Sequence, residues 1–253
     1  MADFLLIHEA GHGKWEWERI WGYLEHARRR REPLRHPLFA AWRVALPDLP
    51  GHGGRFCADP PQTLTAEGCA RTVAEAAAEK GLRKPIVVAH GLTASIALLV
   101  AQHLKDSPTR LVLLAGVVPE AGQAPLQALP PAARLALRGQ RLLPAPKGYM
   151  RLHREFVLKV LASDMDYPTA AVLLLKRLTP LPLAPFLQPL PSEALKPPSP
   201  VTYMLLAHDR LFPAEYQRQA AQRLEAEVVE IEAGHEAPLT VPEAIGDMLL
   251  RWA

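Results

Sequence analysis

Short apolar runs alternate with longer amphipathic stretches along most of the chain. We interpret six runs as buried or half-buried strands: "DFLLIH", "WRVALPD", "KPIVVAH", "RLVLLAG", "VTYMLLA" and "EVVEIEA". Helical spacing of apolar residues predicts helices in "WEWERIWGYLEHARRR", "TAEGCARTVAEAAAEKG", "LTASIALLVAQHLK", "AEYQRQAAQRL" and "VPEAIGDMLLRWA". In the second of these, Thr65 is a typical N-cap and Gly81 a typical stop. Strands and helices that alternate in this way predict an α/β fold with a doubly wound, mostly parallel sheet.

The regular alternation of strands and helices is interrupted between residues 119 and 198 by a proline-rich segment. More than half of the chain's 26 prolines fall between Pro119 and Pro200. Between them lie the amphipathic stretches "ARLALRGQRLL", "LHREFVLKVLA" and "AAVLLLKRL". We therefore expect residues 119–198 to form an inserted helical cap, and residues 1–118 and 199–253 to form the core.

Residues at candidate catalytic positions follow the predicted strands. Glu9 comes soon after the first strand, Gly91 directly after the third, Asp209 after the late strand "VTYMLLA", and His235 after the last. Ligands of doubly wound sheets bind beyond the carboxyl ends of the strands. A nucleophile position, then an acid, then a histidine is the chain order of the α/β-hydrolases.

Over nearly its whole length the chain resembles the α/β-hydrolase fold. Its first loop is similar to that of the plant-type esterases, hydroxynitrile lyases and methylketone synthases. The H-G-x-W-x-W signature of that branch is matched by His12, Gly13, Trp15 and Trp17, and "LPDLPGHG" is a further hallmark of the superfamily.

The resemblance implies that Asp209 is the acid and His235 the general base. Asp164 and Asp166 lie in the predicted cap and are the competing acids. Either Asp209 or His235 alone could be an ordinary turn or loop residue. Their order and their distance from the C-terminus favour the catalytic interpretation.

The elbow of this chain departs from the family. The pattern G-x-S-x-G reads Ala89-His90-Gly91-Leu92-Thr93, so the serine and both glycines are absent. Gly91 tolerates the strained backbone of such an elbow. Three changes favour natural loss of acyl-enzyme chemistry, although a deliberate exchange of serine for glycine stays open. Neither Thr93 nor Ser95 is expected to project from the apex of the elbow.

Glu9 is the second departure, because the resembled branch has glycine, alanine or threonine there. The position borders the oxyanion hole, where a carboxylate would repel developing negative charge. Glu9 could turn away, could act as a general acid after burial raises its pKa, or could pair with Lys14 or an arginine. We expect Glu236 to face solvent or to join a local ion pair.

Backbone donors survive the loss of a side chain, so we expect an oxyanion hole at this place. The Leu92 amide would lie at the start of a helix, whose dipole adds partial positive charge. We assign the surrounding oxyanion-hole and substrate-binding positions to Ala10, His8, His12 and His90.

Three functions remain open on the sequence. The first is a non-covalent lyase or proton-transfer enzyme, in which His235 moves a proton of a small apolar carbonyl or ester-type substrate. The second is a hydrolase that activates water directly, or one inactivated by the change at Gly91. The third is a binding protein with a dead site.

Composition narrows the partners. The net charge of +3 and a single basic run, Arg28 to Arg31, give little support to nucleic-acid binding. No apolar run reaches the roughly 18 residues of a membrane span, and no leader pattern opens the sequence, so we expect a cytoplasmic protein. "HEAGH" lies in a glycine-containing loop and not on a zincin helix, so we expect no metal and no organic cofactor. A homodimer stays open.

Overall fold

The computed structural model describes residues 3–31, 42–58, 60 and 63–253, except for the side chain of residue 31. Within these residues the strands are β1 (Phe4–Ile7), β2 (Val44–Ala45), β3 (Ile86–His90), β4 (Arg110–Leu114), β5 (Tyr149–Met150), β6 (Leu181–Pro182), β7 (Val201–Leu206) and β8 (Glu227–Ile231). The helices are α1 (Glu18–Arg31), α2 (Ala66–Glu79), α3 (Ala94–His103), α4 (Pro125–Ala128), α5 (Pro131–Gln140), α6 (Arg154–Phe156), α7 (Tyr167–Ala170), α8 (Ala214–Arg223), α9 (Ala237–Thr240) and α10 (Pro242–Arg251). In this part of the chain, none of the helices has both the length and the apolar content to cross a membrane.

The predicted parallel sheet is confirmed. In the described residues it has six strands in the order β2-β1-β3-β4-β7-β8, and every neighbouring pair is parallel. Strands β1, β3 and β7 are buried along their whole length, which explains their continuous apolar sequence. Helix α1 packs against α10 and α2 packs against α3, as the helices of a doubly wound sheet do.

Strand β2 is much shorter than the predicted run of residues 42–48. Its pairing with β1 covers only Val44 and Ala45, opposite Phe4 and Leu5. Pro47 lacks the N–H that a continued ladder needs, so the chain leaves the sheet before it.

Two local predictions on α2 are confirmed. The hydroxyl oxygen of Thr65 accepts a hydrogen bond from the Gly68 amide at 2.9 Å, as an N-cap residue does. Gly81 has a φ of +65° just after the helix, a conformation that glycine adopts without steric cost.

The segment between β4 and β7 differs in texture from the core, as the prolines predict. It contains α4 to α7, two π-helical turns at Val157–Leu161 and Ala171–Leu175, and the antiparallel ribbon of β5 and β6. Its buried apolar side chains belong to the same hydrophobic core as the sheet. The boundaries 119 and 198 stay predictions.

Candidate active site

Four of the residues singled out in the sequence meet beyond the carboxyl ends of the strands. Glu9 follows β1, Gly91 follows β3, Asp209 follows β7 and His235 follows β8. All four are buried. Because β1 neighbours β3, and β7 neighbours β8, the parallel sheet brings these chain segments to one edge.

Asp209 and His235 form a buried pair. The Nδ1 atom of His235 lies 2.9 Å from Oδ2 of Asp209. The other oxygen of Asp209 accepts hydrogen bonds from the amides of Leu211 and Phe212 at 2.7 and 3.0 Å. These bonds fix the carboxylate, which in turn orients the imidazole ring.

The competing acids make other contacts. Asp164 accepts a hydrogen bond from the amide of Gly234 at 2.8 Å. Asp166 caps α7 through the Thr169 amide at 2.8 Å. Among the described contacts, the carboxylate that hydrogen-bonds the His235 ring at Nδ1 is therefore that of Asp209.

The environment of His235 favours its charged form. Burial by itself lowers the pKa of this imidazole, but the carboxylate of Asp209, with smaller contributions from Glu9 and Glu236, raises it well above the usual value. The Nε2 atom lies 3.7 Å from Oε2 of Glu9 and has no hydrogen-bond partner among the described residues. It is the polar atom of the pair that faces the pocket.

Glu9 fills the place that a side chain at position 91 would take. A Cβ built on Gly91 would lie 1.2 Å from Oε2 of Glu9. The same oxygen accepts a hydrogen bond from the Leu92 amide at 2.8 Å, and Oε1 accepts one from the Ala10 amide. Among the described contacts the side chain neither turns away nor pairs with Lys14. It enters the site, and the two amides expected to form the oxyanion hole bind it.

The hydroxyl groups near the elbow are engaged elsewhere. Thr93 donates to the carbonyl of His8 at 2.6 Å, with the carbonyl of His90 also within reach at 2.9 Å. Ser95 donates to the carbonyl of Leu92 at 2.7 Å. Neither hydroxyl faces Glu9 or His235, as expected from their positions in the turn.

A buried glutamate that was not predicted from the sequence contacts Glu9 and His90. Glu16 lies in a 3₁₀ turn at Lys14–Trp17 and is fully buried. Its oxygens accept a hydrogen bond from the Glu9 amide at 2.7 Å and bind Nδ1 of His90 at 2.5 Å. Burial raises the pKa of Glu16, but positive charge on His90 and His12 outweighs it and lowers the value to about 2. In the sequence, the position of Glu16 between Trp15 and Trp17 was the feature that could have indicated its burial.

His12 and Glu236 form a second buried pair, so the expectation that Glu236 faces solvent is wrong and the ion-pair alternative is right. Nε2 of His12 lies 3.2 Å from Oε2 of Glu236, and both side chains are fully buried. Burial lowers the pKa of His12, but Glu236 and Glu16 raise it to about 9 overall. The pair joins the loop after β1 to the loop after β8.

The remaining histidine of the first loop has a structural position. The Leu49 amide donates to Nε2 of His8 at 3.0 Å, so its Nδ1 carries the proton and donates to the Glu9 carbonyl at 2.8 Å. Burial lowers the pKa of His8. His8 lies behind Glu9 rather than in the pocket.

A small apolar cavity of about 40 Å³ lies over Glu9 and His235. Its polar walls are Glu9, His12 and His235. The apolar walls come from the core and from the segment predicted as the cap: Ala10, Leu92, Leu126, Leu129, Leu137, Met150, Leu152, Phe156, Leu161, Leu181, Leu211 and Phe212. The cavity has room for a few water-sized groups.

Two groups of side chains in the described residues have the composition of metal-binding sites. One is Glu9, His90 and His235, and the other is His12, Glu16 and Glu236. In each group the candidate ligand atoms lie within 4.8 Å of one another.

The sheet order, the elbow after β3 and the paired acid and histidine after β7 and β8 define the architecture of an α/β-hydrolase. The alpha/beta hydrolase family model matches residues 4–247, and the chain belongs to this family. No curated protein sequence matches the chain.

Solved structures share the fold along the full length of the chain. An extracellular α/β-hydrolase from a Paenibacillus species, described as homologous to tobacco salicylic acid binding protein 2, is 18% identical with a TM-score of 0.83, covering 100% of this chain and 99% of that one. The methylesterase MES16 from Arabidopsis is 20% identical with a TM-score of 0.73 over 99% and 98% of the two chains. Polyneuridine aldehyde esterase is 16% identical with a TM-score of 0.77, also over 99% and 98%. The resemblance to the plant-type esterase branch is thus confirmed in fold.

Proposed function

We propose that this protein is a proton-transfer enzyme of the lyase type, which acts on a small apolar carbonyl or ester-type substrate without an acyl-enzyme. The observation that carries the proposal is the position of Glu9. Its carboxylate occupies the space of a serine side chain at Gly91 and faces Nε2 of His235 at 3.7 Å. A nucleophilic hydroxyl is thereby replaced by an acid–base pair at the base of the pocket.

His235 moves the proton in this proposal. Its Nε2 atom is the buried nitrogen of the pocket without a partner among the described residues, and Asp209 holds the ring from the other side. A carboxylate at Nδ1 fixes the tautomer and the orientation of a catalytic histidine. The charged imidazole donates its proton to the substrate and recovers a proton later in the reaction.

The role of Glu9 differs from the role expected for this position. The sequence reading left the amides of Ala10 and Leu92 free to stabilise a substrate oxyanion, whereas both donate to Glu9. The carboxylate is therefore held in a fixed position beside His235. In our proposal it stabilises positive charge on the imidazole while the proton is on the ring.

The test is turnover of β-keto acids and cyanohydrins by the purified protein. We expect His235→Ala and Asp209→Ala each to reduce the rate, by roughly 10²–10⁴-fold for loss of a positioned acid–base group. Asp164→Asn is the matched control, since it changes the competing acid beside Gly234 and should keep the activity. Turnover that survives both alanine variants would refute the assignment, and so would its absence with every substrate offered.

Direct hydrolysis is the second candidate, and the cavity favours it. Glu9 and His235 both line a space large enough for water. A water held there could be activated by the carboxylate of Glu9, beside the charged imidazole, to attack an ester. The release of acid from short-chain esters, lost in His235→Ala and kept in Asp164→Asn, would support hydrolysis over the lyase reaction.

A further inference from the structure

Glu9, His90 and His235 bring three potential ligand atoms close together beside the cavity that Glu9 and His235 line. The atoms lie within 4.8 Å of one another, and all three side chains are buried. Ligand atoms of a tetrahedral zinc site with bonds of about 2.0–2.1 Å lie on the order of 3.4 Å apart. The atoms lie at most 4.8 Å apart, so closing each separation to this value requires a change of at most about 1.4 Å.

Each of the two histidines has one ring nitrogen without a hydrogen-bond partner among the described residues. The Nε2 atoms of His90 and His235 are fully buried and lack a hydrogen-bond partner among the described residues. Their rings pack together with centroids 4.7 Å apart. Two adjacent buried nitrogens without partners are unfavourable, because each has lost its contact with water. A shared cation would satisfy both of them and Glu9 together.

The opposite nitrogen of each ring is bound by a carboxylate. Nδ1 of His90 lies 2.5 Å from Glu16, and Nδ1 of His235 lies 2.9 Å from Asp209. A carboxylate on the far nitrogen is the usual outer contact of a metal-binding histidine, because it turns the lone pair of the other nitrogen to the metal. Both histidines have this contact.

The balance of buried charge also favours a cation. Four buried carboxylates lie in one connected cluster: Glu9, Glu16, Asp209 and Glu236. Their partners in it are histidines, since Glu236 pairs with His12, Glu16 with His90, and Glu9 and Asp209 with His235. Buried carboxylates are stable when they are paired or bind a metal. A divalent ion would supply two positive charges that the histidines otherwise have to gain as protons.

We propose that Glu9, His90 and His235 bind a zinc ion. Two imidazoles and one carboxylate suit zinc, whereas magnesium and calcium prefer oxygen ligands and the cluster contains no thiolate for a softer ion. This proposal opposes our expectation from the sequence that the chain binds no metal. The group of His12, Glu16 and Glu236 is less suited, because Nε2 of His12 is already hydrogen-bonded to Glu236, whereas Nε2 of His90 and Nε2 of His235 have no hydrogen-bond partner among the described residues.

The open side of the zinc site would face the cavity. Glu9 and His235 line that cavity, so a fourth ligand, water or a substrate oxygen, would approach from there. Three protein ligands and one open position are typical of catalytic zinc sites. Zinc on Nε2 of His235 would occupy the atom that moves the proton in the proposed function, so the zinc-bound form would not carry out that reaction. Zinc binding is measured without any substrate, so the two proposals are tested separately.

The experiment is zinc binding by the full chain. The protein is stripped with chelator, dialysed against zinc and analysed for metal by elemental mass spectrometry, with the melting temperature measured in parallel. We expect one tightly held zinc per chain and a higher melting temperature with zinc. A wild-type chain that holds no zinc after dialysis and shows no shift would overturn the proposal.

Matched variants locate the ion. His90→Gln and Glu9→Gln should each lose the tightly held zinc, and Glu16→Gln should weaken its affinity by roughly 10–100-fold. His52→Asn is the control: His52 also has a buried Nε2 without a described partner, but it lies outside the cluster, so zinc binding should persist. Binding by surface histidines would survive in His90→Gln and Glu9→Gln alike, and that result would refute the site.

Replacement of zinc by Co²⁺ gives a second readout. We expect visible absorption bands of a low-symmetry, four-coordinate cobalt site in the wild type and in His52→Asn. The bands should be absent in folded His90→Gln. Spectra that do not differ between wild type and folded His90→Gln would contradict the assignment.

Discussion

A glycine and a glutamate share one small volume at the ends of two adjacent strands. Gly91 has a φ of +54°, and Glu9 Oε2 lies 1.2 Å from the point where its Cβ would be. The two residues are therefore coupled: a side chain at 91 requires Glu9 to leave, and Glu9 in its present place requires glycine at 91. Glycine at position 91 and the carboxylate of Glu9 are therefore two parts of one structural arrangement.

This coupling predicts how an esterase site can be rebuilt. Gly91→Ser alone should not create an esterase, because Glu9 blocks the new side chain and the left-handed backbone costs about 1–3 kcal/mol. The double variant Glu9→Ala/Gly91→Ser frees both the volume and the amides of Ala10 and Leu92. We expect it to cleave short-chain nitrophenyl esters at least roughly 10²-fold faster than either single variant.

The control for this prediction is the triple variant with His235→Ala, which should lose the gained activity. Equal activity of Gly91→Ser and the double variant would show that Glu9 does not obstruct the elbow. The measurement is initial rate of nitrophenol release, with circular dichroism to verify the fold.

His52 provides a prediction of pH dependence at the scale of one residue. Burial, with charge on His8 and His12 as smaller contributions, lowers its pKa from 6.5 to about 3. The unfolded chain then binds the proton more readily than the folded one between these values. Above pH 6.5 His52 is neutral in both states and does not change the free energy of unfolding. As the pH falls from 6.5 toward 3, the free energy of unfolding decreases by about 1.4 kcal/mol per pH unit.

We expect the free energy of unfolding to fall with acidification more steeply in the wild type than in His52→Asn, which retains a donor near the Pro50 carbonyl. Between pH 6.5 and 5 the difference should approach about 2 kcal/mol. The raised pKa of His12 acts in the opposite direction, but it is present in both proteins and cancels in the comparison. Parallel urea-unfolding profiles over this range would contradict the prediction.

At the scale of elements, the sequence predicted those that the core specifies. The buried strands β1, β3, β4 and β7 have continuous apolar sequences, and their positions agree with the predicted runs to within about two residues. Strand β2 was overestimated because the alternation of residues 42–48 does not show how far the pairing with β1 extends. Three stretches of the cap were predicted as helical, but the sequence pattern did not reveal that two of them continue as π-helical turns, nor the short helix α4 and the ribbon of β5 and β6.

Only part of the candidate site could be predicted from the sequence. Asp209, His235 and Gly91 follow strands, so their convergence could be predicted from the chain order. The partners of Glu9, Glu16 and Glu236 could not, because each depends on contacts between loops far apart in the sequence. Gly91 at the elbow and Glu9 after the first strand each departed from the family pattern, but nothing in the sequence showed that the two positions are in contact.

The His12–Glu236 pair joins two loops, and its removal should loosen the site. The two side chains are fully buried, so loss of one partner leaves the other without compensation. Glu236→Ala should lower the free energy of unfolding by about 3–5 kcal/mol. Chemical denaturation measures this loss. In His12→Ala/Glu236→Ala, a total cost well below the sum of the single variants would show that the pair interacts, and simple additivity would argue against it.

For the whole molecule, side chains of the segment predicted as a cap lie between two neighbouring spaces. The small cavity over His235 shares Leu126, Leu129, Leu137 and Met150 with an outer groove of about 170 Å³. Arg134, Arg138 and Arg141 line that groove. Apolar side chains thus separate the arginine-lined groove from the small cavity over His235.

This separation predicts an effect of Leu129, which is buried and lines both spaces. Leu129→Ala should connect groove and cavity and increase the binding of a small aromatic ligand at least roughly 10-fold, at a cost in stability of about 2–5 kcal/mol. Leu187→Ala, an exposed position on the groove alone, is the control and should change neither quantity much. Calorimetric titration with a benzene-sized ligand measures the gain, and equal affinity of both variants would show that Leu129 does not close the pocket.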